Sequence, residues 1–116
     1  MEKENILLEK SKKFALDIIQ VYKQLCSEQK EFVLSKQLLR SATSIGANAR
    51  EASRGQSKAD FYAKLHISLK EADESEYWLE LLHESNYITD EIFKTTYSNC
   101  EEIIKILVSI LKHSNS

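Results

Sequence analysis

The sequence predicts an all-α fold, an up-down-up-down antiparallel four-helix bundle, on three observations. There is no proline in the 116 residues and there are only two glycines, too few turn formers for a sheet protein of this length. Apolar and small residues return at alternating intervals of three and four, which is the seam of a packed helix and not the alternation of a strand. Only three short breaks interrupt that pattern, so the elements are few and long, and a chain of this length makes one domain with a sizeable core.

Helix 1 is expected over about 4–26. Leu7, Ser11, Phe14, Ile18, Val21 and Leu25 form its seam, and Ile6, Leu16, Ile19 and Tyr22 widen the apolar surface. The link Ser27–Leu34 reads as polar and then apolar, fit for a short helical turn under the bundle end. Ser35 is the expected N-cap of helix 2, which runs 35–53 with Leu38, Ala42, Ile45, Ala49 and Ala52 on the seam. Gly55 is expected to end it in the left-handed conformation.

Ser57-Lys58-Ala59-Asp60 resembles a capping box with a short acid, and it opens helix 3 over 58–85. The seam of that helix is Phe61, Leu65, Ser68, Ala72, Ser75, Leu79 and Leu82, and Asn86 supplies a left-handed stop. Thr89 caps helix 4 (89–113), with Asp90 and Glu91 in the first turn, where the helix dipole favours acids. Thr96, Cys100, Ile103, Leu107 and Ile110 form the last seam, Phe93, Tyr97, Ile104 and Leu111 form a stripe beside it, and the tail after it is expected to fray.

Helices 2 and 3 make a hairpin from Ser35 to Leu82 that organises the rest. Folding it about Gly55–Gln56 sets Ala49 opposite Phe61, Ile45 opposite Leu65, and Leu38 near Ala72 and Ser75, large against small. Ala42, Gly46 and Ala49 allow a close backbone approach. Gly46 costs about 1 kcal/mol against alanine in a helix, which implies a packing reason. Ile67, Trp78 and Leu81 fall off the helix 3 seam, and this surplus apolar surface points to a homo-oligomer interface.

The formal net charge is only −2, but it is unevenly spread: residues 35–70 hold seven Lys and Arg against two acids, and residues 71–102 hold ten acids against one lysine. That polarity singles out Lys36, Arg40, Arg50, Arg54 and Lys58 as candidates to contact the phosphates of RNA or DNA, or a nucleoprotein partner. The other role for these residues is a solvated face that neutralises the acidic helix 3 of a neighbour. Only Phe61 and Tyr62 lie near them, poor material for stacking on bases. Asn48 and Glu51, one turn apart beside the seam, read as structural polar contacts.

Little else in the chain points to chemistry. Glu80-Leu81-Leu82-His83 has the Glu-x-x-His spacing of di-iron bundles, but no second such step exists. Phosphate-binding glycine loops are absent. Cys26 and Cys100 lack metal or redox spacing and read as reduced, buried small hydrophobes. No apolar run approaches the roughly 20 residues of a membrane span, and MEKENILLEKSKK lacks the apolar core of a signal peptide. The expectation is a cytoplasmic, non-enzymatic protein with no cofactor, no metal and no membrane partner.

QLLRSATSIGANAREA followed by DFYAKLHISLKEADESEYWLELL resembles the bacterial four-helix-bundle proteins encoded within intervening sequences of 23S rRNA genes. Gln37, Arg40, Ser44, Ile45, Asn48 and Glu51 stand at that family's spacings. Leu39 replaces the first arginine of the usual pair, and Ala49-Arg50-Glu51-Ala52 stands where many members have Ile-Ala-Glu-Gly; the lost arginine weakens any polyanion binding taken over from the family. The resemblance implies a homo-oligomer, a ring of five bundles. It also implies a fold similar to the accessory variability protein of diversity-generating retroelements, thought to engage nucleic acid and a reverse transcriptase. A purely structural or protein-binding bundle is the alternative.

Overall fold

The structure, a computed structural model, describes residues 2–114. It consists of four helices, α1 (Glu2–Glu28), α2 (Leu34–Ser53), α3 (Lys58–Glu84) and α4 (Asp90–Leu111), and there is no strand among the described residues. α1 packs on α2 and α4, and α3 packs on the same two. The result is a rod of 46 × 21 × 19 Å, as long as its 27-residue helices require at 1.5 Å per residue.

Each helix buries the seam its spacing predicts. In α1 the buried residues are Leu7, Ser11, Phe14, Ile18, Val21 and Leu25. α2 adds Ser41 to the expected set and α4 adds Leu111. On α3, Phe61 is only half-buried, since it lies in the first turn at the bundle end, and Leu65 to Leu82 form the buried seam. Phe14, Ile18, Leu38, Ile45, Leu79 and Leu107 lose essentially all contact with water, each contributing about 1.5–3 kcal/mol by burial.

The seam also carries hydroxyls, and these fix the register. Ser41 and Ser75 share a hydrogen bond of 2.9 Å, and Ser68 Oγ donates to the Ile45 carbonyl at 2.7 Å. Glu51 meets Lys64 at 3.1 Å, so partners descend α3 as they ascend α2. Ile45 therefore lies beside Ser68, roughly one helical turn beyond the Leu65 that folding about Gly55–Gln56 predicts. A buried hydroxyl must find an acceptor, and the Ile45 carbonyl provides it. The other pairs run in the same opposed order: Lys3 with Ser109 and Lys10 with Glu102 between α1 and α4, Cys100 with the Ala72 carbonyl and Tyr97 with Glu80 between α4 and α3.

The caps divide into those that follow local sequence and those that do not. Ser57 accepts from the Asp60 amide and Thr89 from the Ile92 amide. Asn86 takes φ 66°, with the Tyr87 amide bonded to the Leu82 carbonyl and the Asn86 amide to that of His83, a Schellman stop.

The link before α2 is different from expectation. Lys30 turns the chain at φ 55°, and no extra helical turn forms. The Glu31 carboxylate, not Ser35, caps α2: it accepts from the amides of Val33, Leu34 and Ser35 at 3.2, 3.0 and 2.7 Å. Ser35 lies inside the helix, buried, and its hydroxyl donates back to the Glu31 carbonyl at 2.8 Å. Gly55 also departs from expectation. No glycine has positive φ; α2 ends through Arg54 at φ −109° and ψ 10°, with its amide and that of Gly55 bonded to the Glu51 and Ala52 carbonyls.

Gly46 does have a packing reason: a Cβ there would sit 3.2 Å from Ser11 Oγ on α1. Cys100 is buried as expected, whereas Cys26 is half-buried, and both thiols are free. α4 ends at Leu111, short of the predicted 113, with His113 and Ser114 in a closing turn; the rest of the tail expected to fray, residues 115–116, lies outside the described residues.

Candidate nucleic-acid interface

The helices divide the five basic residues into three groups. Lys36 stands in the first turn of α2 and Arg50 in the last, roughly 20 Å apart along the axis at 1.5 Å per residue. Arg40 lies between them and leans over α3, 3.5 Å from Glu74 and 4.0 Å from Glu71. Its charge is answered within the chain, so Arg40 ties two helices together.

Arg50, Arg54 and Lys58 gather at the α2–α3 connection. All three are exposed, and none makes an ion pair among the described residues. Arg50 and Arg54 are four residues apart on one side of a helix, a like-charge spacing that costs a few tenths of a kcal/mol, offset by the negative end of the α2 dipole.

A concavity of about 470 Å³ opens beside them between α1 and α2. Ser11, Ala15, Gly46 and Ala47 make its floor, and Lys12, Arg50 and Arg54 stand around it. Lys12 was not among the sequence candidates. It belongs to a run of lysines on α1, and only the packing of α1 on α2 brings it to the arginines. The groove exists because the residues facing each other there are too small to fill it.

The remaining polar candidates are local. Asn48 Nδ2 donates to the Ser44 carbonyl of its own helix at 2.8 Å, and Glu51 reaches Lys64 on α3. Ile67 is 42% exposed, Trp78 is half-buried against the core, and Leu81 is half-buried.

The acids collect on the other side, along α3 and α4. Burial and the neighbouring Glu101, Asp73 and Glu80 push the Glu76 carboxyl up to about 7. Tyr97 donates to Glu80 at 2.8 Å, and that bond holds its phenol well above the usual range. Burial raises the Cys100 thiol, so it is no nucleophile at neutral pH. His83 stacks on Phe93 with ring centroids 4.2 Å apart, and its Nε2 is 2.6 Å from Asp90, whose carboxyl that bond lowers. Glu80 and His83 thus serve different neighbours. Among the described residues no group of three His, Cys, Asp or Glu could hold a metal ion, and no helix is long and apolar enough to cross a membrane.

Four helices that bury one seam each and gather bare cations at one end define an all-α, four-helix protein whose prominent surface feature is charge. The chain belongs to the 23S rRNA-intervening sequence protein family, whose pattern it matches over residues 3–109. It is similar to a crystal structure of a protein of unknown function from the S23 ribosomal protein family of Bacteroides thetaiotaomicron, with 56% identity and a TM-score of 0.93 over 95% of this chain and 98% of that one. No curated protein matches the chain.

Proposed function

We propose that this protein is a non-enzymatic cytoplasmic scaffold, an up-down-up-down antiparallel bundle assembled into a homo-oligomeric ring of five, that binds the phosphate backbone of nucleic acid through its basic α2–α3 end. The observation that carries the binding role is the set Arg50, Arg54 and Lys58, three cations without an acidic partner among the described residues of a chain of net charge −2. The opposed order of the cross-helix contacts supports the antiparallel topology. The apolar surface left at Leu16, Ile67 and Val108 supports assembly.

A purely protein-binding bundle is the second reading. Phe32 and Val33, 56% and 72% exposed at the opposite end, favour it.

Binding of a labelled mixed-sequence RNA, followed by anisotropy over a salt series, separates the two. Three phosphate contacts give a slope of log K against log salt of about −2 on a single strand. Arg50→Glu with Arg54→Glu abolishes binding at physiological salt if the basic end is the surface. Unchanged binding places the surface elsewhere.

A further inference from the structure

We infer that the nucleic-acid surface turns away from α3 and crosses onto α1: the groove between α1 and α2 seats the sugar-phosphate backbone, held by Lys12, Arg50 and Arg54 and read without regard to base. This rests on the binding role proposed above and goes beyond it by naming the path and an added contact residue.

Three observations converge on the groove. Its cations come from two helices and face a common space of about 470 Å³, and neither Lys12 nor the arginines have an acidic partner among the described residues. On the α3 side Arg40 is answered by Glu71 and Glu74 and Lys64 by Glu51, and Lys58, which has no ion pair among the described residues, stands outside the lining of the groove. A polyanion following α2 from Arg54 therefore continues on free charge toward α1, at Arg50 and Lys12.

The hydroxyls of the groove are also committed. Ser11 donates to the Leu8 carbonyl, Thr43 to that of Leu39, and Ser53 to that of Arg50. None is left as a neutral donor aimed at a base edge, and the lining includes no aromatic ring on which a base could stack. Charge is what remains, and charge recognises phosphate. The floor of Ser11, Ala15, Gly46 and Ala47 lets the strand come close enough for both arginines to reach it.

The occupant is a nucleic-acid strand, because the lining holds the cations Lys12, Arg50 and Arg54 from both walls and no acid. An acidic helix of a second copy would use the same charge, and the test separates the two. Lys12→Gln, Arg40→Gln and the double change Arg50→Gln with Arg54→Gln are compared with the parent protein, using the labelled RNA over a salt series, with sedimentation of each in parallel.

The expected result is that Lys12→Gln weakens binding several-fold and lowers the salt slope by about 0.7, one single-strand phosphate contact, equally for RNAs of different sequence, while Arg40→Gln changes neither. Parent-like binding by Lys12→Gln together with loss in the arginine double variant overturns the groove path and leaves the binding role standing. No loss in the double variant overturns both. A smaller sedimenting species in Lys12→Gln also overturns the inference, because it would make the groove a contact between copies.

Discussion

Glu31 shows how one side chain can decide where an element begins. Burial pushes its carboxyl upward, but the amides of Leu34, Ser35 and Val33 that bond to it outweigh that and hold it below the ordinary glutamate value. A lowered carboxyl contributes stability that is present above the unfolded value and lost as pH falls through the folded one. Glu31→Ala leaves three first-turn amides without their acceptor and should cost about 1–2 kcal/mol in a urea melt at neutral pH. Glu31→Gln, which keeps one carbonyl acceptor, should cost less. Gly46 poses a sign question of the same kind. Alanine there gains about 1 kcal/mol of helix propensity, but its Cβ would press on Ser11 Oγ at 3.2 Å. Gly46→Ala should therefore stabilise the Ser11→Ala protein by more than it stabilises the parent, a difference a double-mutant cycle of melts reads directly.

At the level of helices, what was legible depended on how far apart the determining residues lie. The seams of α1 and α4 could be read because burial follows a three-four spacing inside one helix. Ser57, Thr89 and Asn86 could be read because a cap and the amide or carbonyl it serves are neighbours in sequence. Ser35 and Gly55 could not. Their roles depend on where the chain turns, and Lys30 sets that turn before α2. The hairpin register shifted by about a turn because serine hydroxyls chose it, and large-on-small matching alone does not see them. The α3–α4 face yields a pH prediction. Glu76 titrates near 7 in the fold against 4.5 as a free side chain, so the native state binds more protons between those values and stability falls as pH rises through that window. Glu76→Gln should raise the melting temperature at pH 8 and leave it nearly unchanged at pH 4.5. Equal shifts at both pH values would show that burial and the neighbouring acids do not hold the Glu76 proton in the fold.

Over the whole molecule, the sequence revealed which residues carry charge but not which of them act together. Lys36, Arg40, Arg50, Arg54 and Lys58 form one basic stretch in the chain, yet α2 spreads the first three along its length and α3 neutralises Arg40, while Lys12 arrives from a helix some forty residues away in the chain. The proposed assembly would use the same separation of surfaces. With Arg50, Arg54 and Lys58 at one end and ten acids within residues 71–102, the apolar residues left uncovered on the flanks are the ones able to join copies with the least opposition of like charges. Ile67 is such a residue, with 42% of its surface in water and no place in the buried seam. A glutamate there adds a charge beside Glu71 and Glu74 of the same helix, which an isolated bundle tolerates in solvent and a packed interface does not. Ile67→Glu should therefore keep the helical circular dichroism of the parent and sediment as a single chain where the parent sediments as an assembly. If the variant sediments with the parent, Ile67 lies outside the contact and the joining surface must be sought around Leu16 or Val108.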